Sequence, residues 1–484
     1  MTLAVVETGY GKVKGVQEGD ITVWKGIRYA KPPIGELRFR SPQPPEPWSD
    51  VYDASQFGPV AYQVRSPLFE TDSVQLSEDC LSLNIWSPGA DDKRRPVMVY
   101  IHGGTFVTGS GRQRLFDGGS FAKTGDVVLV TINYRLGALG FLYLGEMAGS
   151  QYASSGNCGL LDQVAALKWV RENISGFGGD PDRVTVFGES AGSISVSSLL
   201  CMPEAKDLFQ QAILQSGLAL GHRWAMNDTA SASERAREVC SLLEIDDIHM
   251  LMELPAEDLI RGTQSILWKP MVDGVTIPYS LLEALEGGYV NNIPMIVGAN
   301  LNEEALFFLI DPEWPTLDDE SRKLRCHVRG PFPPEVEPFY LNGKTESSFH
   351  DGLTKMATYG NFAGPVQQFV KRQVHRASLW VYRFDWGRGP WKAVHVAELP
   401  FIFNTTDYPF VPLEGKSDEI EAMVDQMHST WIAFANKGNP NNDTIPHWPQ
   451  YNLQSRPTMI FDSPSHIEND PYHKERSVWE QVGV

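Results

Sequence analysis

The chain has 484 residues, of which 42% are apolar and 21% charged, with 43 glycines and 33 prolines. A chain of this size and make-up buries a large core, which excludes a disordered chain, a coiled coil and collagen. A formal net charge of −19 argues against a phosphate backbone or an anionic membrane surface, so neither nucleic acid nor a membrane is expected as a partner.

Leu3–Val6 is a short apolar run broken by Glu7, without the basic flank or cleavage site of a secretory signal. Gly9-Tyr-Gly11-Lys-Val-Lys-Gly15 imitates a dinucleotide fingerprint, but its last interval is one residue too long, and no proper strand is expected so near the N-terminus. Residues 24–48, rich in Pro, Gly and Arg, read as an irregular packed loop. Val97–Ile101 and Val127–Ile132 are β-branched apolar runs and read as buried strands. Residues 162–173 read as an amphipathic helix, Arg183–Phe187 as a strand, and the run from Ala191 as a helix. Residues 218–290 are more helical, a possible cap or insertion. Ala212–Gln215, Met295–Gly298 and Leu379–Phe384 are further strands. Gly343-Lys344-Thr345 ends like a phosphate-binding loop, yet Pro338 stands where its first glycine belongs. A late helix over 417–437 is expected, capped by Ser417, with Ile420, Met423, Val424, Met427, Trp431 and Phe434 on one stripe, and stopped by Gly438 and Pro440. The alternation of strand and helix predicts an α/β fold: one domain over 1–484, with a large, mostly parallel central sheet and helices on both faces.

Gly188-Glu189-Ser190-Ala191-Gly192 lies between a strand and a helix, the setting of a nucleophile elbow, where Ser190 would project its hydroxyl at a helix N-terminus. The plain alternative is a serine capping that helix. His102-Gly103-Gly104-Thr105-Phe106 follows an early strand, as an oxyanion loop does, with Gly104, Thr105 and Ala191 as the expected N–H donors. A serine needs a base. Of eight histidines beyond residue 300, His395 sits on a loop after a strand, where it could reach Ser190. The acid is expected after Met295–Gly298, where Glu303 and Glu304 are adjacent; spacing leaves the choice open, and the other carboxylate is expected in solvent. Phe106, Phe307, Phe308, Trp386 and Phe401 flank these segments and would either line an apolar pocket or pack the core. His395-x-x-Glu398 lacks the second histidine of a zinc helix, so no metal and no cofactor are expected.

Several segments together resemble the carboxylesterase type B, or cholinesterase-like, branch of the α/β-hydrolases. They are WKGIRYAKPPIGELRF (24–39), SEDCLSLNIWSP (77–88), HGGTF (102–106), NYRLGALGF (133–141), FGGDPDRVTVFGESAG (177–192), GANLNEEALFF (298–308) and HVAELPF (395–401). Bacterial para-nitrobenzyl esterases are the most similar type. The resemblance covers nearly the whole chain and implies a Ser190–His395–Glu303 triad with Glu304 in place of a usual glycine. It also implies a hydrogen-bonding Ser216 behind the triad, Glu189 beside the nucleophile, and a structural ion pair of Arg38 with Glu78. Thr105, Ser82 and Val396 depart from the usual Gly or Ala, aromatic and Gly. Secreted relatives pair the cysteine at Cys80 with an upstream one, where this chain has Ala61. Its five cysteines (Cys80, Cys158, Cys201, Cys240 and Cys326) contain no C-x-x-C and read as reduced, mostly buried thiols in a reducing compartment. The expected protein is therefore a bacterial, cytoplasmic serine carboxylesterase, a monomer or weak homo-oligomer. It would act on short-chain or aryl esters through an acyl-enzyme, with activity rising as His395 loses its proton. An amidase or carbamate hydrolase, or a non-catalytic scaffold, are the alternatives.

Overall fold

The computed structural model describes residues 3–66, 69–342, 346–389, 391–408 and 412–483. Backbone contacts divide the chain into two compact units, Met1–Ile213 with Met226–Asn291, and Leu214–Ala225 with Asn292–Val484.

The first unit carries strands β1 (Leu3–Thr8), β2 (Gly11–Glu18), β3 (Ile21–Arg28), β4 (Tyr52–Asp53), β5 (Ser82–Ser87), β6 (Arg95–Ile101), β7 (Val128–Ile132) and β8 (Gly179–Glu189). They pair in the order β1-β2-β3-β5-β7-β6-β8, with β4 on β2. The path β1-β2-β3-β5-β7 is antiparallel, β4 runs parallel to β2, and β7, β6 and β8 run parallel. Val97–Ile101 lie between two parallel neighbours and are entirely shielded, which is why that run is apolar without alternation.

Two expectations change here. A strand, β1, does precede the Gly9–Gly15 segment, and the segment turns into β2 as a hairpin with Thr8 opposite Gly11, so its glycines open no helix for a phosphate. Trp24–Arg28 likewise complete β3, paired with β5, and only the chain beyond them is irregular.

The helix Cys158–Asn173 is buried on most of its surface, with Lys168, Arg171 and Glu172 outermost. Its Asp162 is fully buried and takes Arg135 in a fork, Nε to Oδ2 at 2.8 Å and a terminal nitrogen to Oδ1 at 2.7 Å, plus the Arg135 N–H at 3.0 Å. The ion pair of Arg38 and Glu78 is present as a second fork (2.8 and 2.5 Å), and Arg38 also donates to the carbonyls of Leu251, Met252 and Leu254. It thereby fastens the end of the short helix Met250–Glu253. The described residues of 218–290 form helices and no strand, and the segment is shared between the units, with its first residues in the second.

Strand β9 (Gln211–Gln215) falls at the division. The second unit carries β10 (Met295–Asn300), β11 (Leu379–Phe384), β12 (Pro457–Phe461) and β13 (His466–Asn469). The first three are parallel and β13 is antiparallel to β12. The helix Ser417–Lys437 buries Met423, Met427, Trp431 and Phe434, with Ile420 and Val424 half-buried at the margin. Ser417 does not cap it: Lys416 occupies the cap position, and the Ser417 hydroxyl donates to Glu421 instead. Gly343, Lys344 and Thr345 lie outside the described residues. Among the described residues no helix is long and apolar enough to cross a membrane.

Candidate active site

In the first unit β8 runs into the helix Ala191–Leu199 through Ser190, whose φ of 56° and ψ of −124° are costly for a residue with a side chain, about 1–3 kcal/mol. The turn is sharp enough that a Cβ on Gly192 would lie 2.0 Å from the Ile101 carbonyl oxygen. The Ser190 hydroxyl makes no capping bond to the helix it precedes, so the simple cap does not explain it. Ala191 is the first helical residue, and its N–H lies outside the intrahelical ladder at the positive end of the helix.

β6 ends at Ile101, and the next turn holds three successive residues with positive φ: Gly104 (108°), Thr105 (53°) and Phe106 (61°). The Gly104 carbonyl accepts the N–H groups of Val107 and Thr108, at 3.0 and 3.1 Å. This turn packs on the serine: a Cβ on Gly103 would stand 2.8 Å from the Glu189 carbonyl oxygen and 3.0 Å from the Ser190 Cβ. Glu189 is buried at that contact. His102 braces the turn from behind. Its Nδ1 is 2.8 Å from the Gly103 carbonyl, its ring stacks on Tyr134 at 4.5 Å, and the Tyr134 hydroxyl donates to its carbonyl. Burial pushes the His102 pKa down to about 4, so the ring is neutral at ordinary pH. Phe106 is fully buried against Phe141.

In the second unit the loops after β10 and β11 are laced together. Leu301 N–H bonds the Phe384 carbonyl and Asn302 N–H the Ala393 carbonyl, both at 2.9 Å. This brings His395 Nδ1 to 2.6 Å from Glu303 Oε2. The other Glu303 oxygen accepts the Asn300 N–H at 2.7 Å. Glu303 and His395 are both buried. Glu303 is thus the carboxylate on the imidazole. Glu304, expected in solvent, is instead fully buried, because Arg329 and Asn361 satisfy its two oxygens.

Three polar residues behind this pair were given no functional role from the sequence. Asn300 Nδ2 donates to the Val394 carbonyl and to Glu398 Oε2, each at 2.7 Å; Gln215 donates to Glu398 Oε1 at 3.1 Å; and Trp431 donates to Gln215. Burial, then the nearby charge of Glu303, raises the Glu398 pKa. The one available signal was a lone carboxylate inside the apolar stretch Ala397–Phe403. Ser216 bonds through its backbone, N–H to the Gly298 carbonyl at 2.9 Å, while its buried hydroxyl meets no partner among the described residues; the side-chain bonding comes from Gln215. Of the flanking aromatics, Phe308 stacks on Trp314, Trp386 and Phe401 pack on each other, and all are buried. Phe307 is half-buried and faces the His395 ring at 5.3 Å. Ser190, Gly104, Thr105, Ala191, Glu189 and Phe106 therefore belong to the first unit, and Glu303, His395 and Ser216 to the second.

Residues 2–479 match the Carboxylesterase family. The chain is 40% identical to the para-nitrobenzyl esterase of Bacillus subtilis over 98% of both proteins. It is 33% identical to a phenmedipham hydrolase of Pseudarthrobacter oxydans over 95% of both. A crystal structure of a Geobacillus stearothermophilus carboxylesterase superposes with a TM-score of 0.89 at 41% identity, covering 98% of this chain and 99% of that one. The fold is that of the α/β-hydrolases. The chain is a carboxylic ester hydrolase and belongs to the carboxylesterase family.

Proposed function

We propose that Ser190, His395 and Glu303 form the catalytic triad, with the N–H groups of Gly104, Thr105 and Ala191 as the oxyanion hole, in a single α/β-hydrolase domain over 1–484. The observation that carries this reading is the strained, non-capping backbone of Ser190 between β8 and its helix. The buried Glu303–His395 pair supports it, since a carboxylate on Nδ1 leaves Nε2 as the basic nitrogen. His395 then takes the hydroxyl proton as Ser190 attacks the ester carbonyl. The oxyanion receives the three N–H groups, and the alcohol leaves with the proton from His395. Water, deprotonated by the same imidazole, releases the acid. The substrates are small, short-chain or aryl esters, and no cofactor is required. Five free cysteines, four of them buried, support a reducing bacterial cytoplasm as the working compartment, with the enzyme a monomer or weak homo-oligomer.

The test is hydrolysis of para-nitrophenyl butyrate by the wild type and Ser190→Ala, with circular dichroism on both. The variant should lose activity by a factor on the order of 10⁶ while keeping its fold. Undiminished activity in Ser190→Ala would assign the nucleophile elsewhere. Comparing the ester with the corresponding anilide separates an esterase from an amidase on the same triad.

A further inference from the structure

We propose that Glu304, Arg329 and Asn361 form a clamp that positions the His395 imidazole through two aromatic rings packed near it, Phe307 and Phe362. The proposal rests on His395 being the catalytic base. Its starting point is a residue with no place in the triad. Glu304 has no exposed surface, yet its φ of −68° is ordinary helical backbone, so it sits at its position without strain. Its carboxylate accepts Arg329 Nε on one oxygen and Asn361 Nδ2, at 2.6 Å, on the other, and its N–H bonds the Thr358 hydroxyl at 3.2 Å. A buried carboxylate held this fully has a fixed position, and it fixes its partners in turn.

Each partner continues to the imidazole. The Arg329 guanidinium lies 3.8 Å above the centre of the Phe307 ring, whose own centre is 5.3 Å from the His395 ring. Asn361 precedes Phe362, whose ring lies 5.1 Å from that of His395. Asn361 and Phe362 sit on a π-helical turn, Tyr359–Ala363, inserted between the helices Glu346–Thr358 and Gly364–Gln373. Such a turn interrupts the ordinary side-chain rotation of a helix and is frequent at functional sites. Asn361 also donates to the Arg329 carbonyl at 3.3 Å, closing the network on itself. One buried carboxylate thus holds the supports of both rings packed near His395. Glu303 fixes the imidazole at Nδ1, and the clamp limits its tilt about that bond.

The charges give the clamp a signature that packing alone lacks. The titratable groups near the imidazole in the second unit include Glu303 on Nδ1, Glu398 and Tyr472 beside Glu303, Arg329 over Phe307 with Glu304 on its Nε, and Arg223, which donates to the Arg329 carbonyl at 2.9 Å. Arg329 disfavours a protonated His395 and Glu304 favours it, so each hides the other's effect while both are present.

The experiment measures kcat and KM for para-nitrophenyl butyrate from pH 5 to 9 in the wild type, Glu304→Gln, Arg329→Met, Arg329→Lys and the double variant Glu304→Gln/Arg329→Met, with melting curves for each. Arg329→Met should lower kcat about tenfold to a hundredfold with little change in KM. It should raise the apparent pKa of the rising limb by about half a unit. Glu304→Gln should move that pKa downward by a similar amount, and the double variant should return it to the wild-type value with kcat still low. Arg329→Lys should keep the wild-type pKa but recover only part of kcat, because an ammonium lacks the flat fork that covers the ring. Shifts of the same sign in both single variants, or unaltered kcat and pKa in folded protein, would make the network purely structural and overturn the proposal. Unaltered activity in Ser190→Ala would instead overturn the triad beneath it.

Discussion

Gly104→Ala tests the proposed oxyanion loop most directly. Gly104 has a φ of 108°, and a Cβ there would lie 2.2 Å from the Thr108 carbonyl oxygen and 2.7 Å from its carbonyl carbon. Both are backbone atoms, so no rotamer change relieves the contact. Carbon and carbonyl oxygen come to rest at roughly 3.3 Å, which requires a separation of about 1 Å more. Thr108 cannot easily supply it. Gln63 Oε1 accepts both the Thr108 hydroxyl and the Gly109 N–H, at 2.7 and 2.8 Å, and Gln63 itself is buried. The displacement therefore falls on Gly104 and its N–H. A shift of about 1 Å in a positioned group costs roughly 10²-fold, and loss of an oxyanion donor about 10²–10³. We expect kcat/KM to fall within that range, a loss of about 3–4 kcal/mol of transition-state stabilisation. Gly149→Ala is the control: φ is 99°, but no heavy atom lies within 4 Å of the added methyl. It carries the backbone strain, about 1–3 kcal/mol, and should leave kcat/KM unchanged. The assay is para-nitrophenyl butyrate hydrolysis with a thermal melt of each variant. A folded Gly104→Ala enzyme with kcat/KM within about threefold of wild type would refute the assignment of this N–H to the oxyanion.

Two further predictions concern stability. His102 has a folded pKa of about 4 against about 6.5 in an unfolded chain. The unfolded state binds a proton between those values that the folded state refuses, so the contribution is complete above about pH 6.5 and disappears as pH falls to about 4. That amounts to about 3 kcal/mol. Urea midpoints should accordingly fall more steeply on acidification in the wild type than in His102→Asn; parallel curves would show that His102 is not held neutral. Asp162→Asn leaves Arg135 as a buried cation with its fork unanswered and should cost about 3–5 kcal/mol, read as a lower denaturant midpoint, while a change under about 1 kcal/mol would mean that water reaches Arg135.

The strands that were legible in the sequence are those whose surroundings are uniform. Val97–Ile101 and Val127–Ile132 are buried at every residue, so their composition alone declares them. The N-terminal hairpin was missed because no strand was expected so near the N-terminus, although Lys12, Val13 and Lys14 already carried the alternation of a strand, with Val13 buried between two less buried lysines. The late helix was read correctly over 417–437, but its cap was not, because the Ser417 hydroxyl had a carboxylate one turn away to choose over the backbone. At the site, the elbow and the His-Gly-Gly turn are local structures and leave local signatures. Asn300, Gln215 and Glu398 are far apart in sequence and joined only through side-chain bonds, so no window of sequence displays them together.

Three positions where the resemblance implies a small residue, Gly or Ala at 105 and Gly at 304 and 396, show where such reading stops. Thr105 (φ 53°) and Val396 (φ 67°) are β-branched residues in a conformation such residues avoid, one in the turn after β6 and the other next to His395. At these two the backbone takes a conformation that glycine adopts freely, at a strain of about 1–3 kcal/mol each, so the surrounding contacts must over-determine the turns. Glu304 is the opposite case. Its φ is −68°, so no special backbone was lost with the glycine, and the side chain points into a fully buried site where only a paired carboxylate can stay. The pairing comes from Arg329 and Asn361, 25 and 57 residues further on. A substitution that strains the chain can be suspected from its residue type alone. One whose effect depends on distant partners shows itself only once those partners are in place, which is why adjacent Glu303 and Glu304 looked alike in sequence and hold separate offices in the folded enzyme.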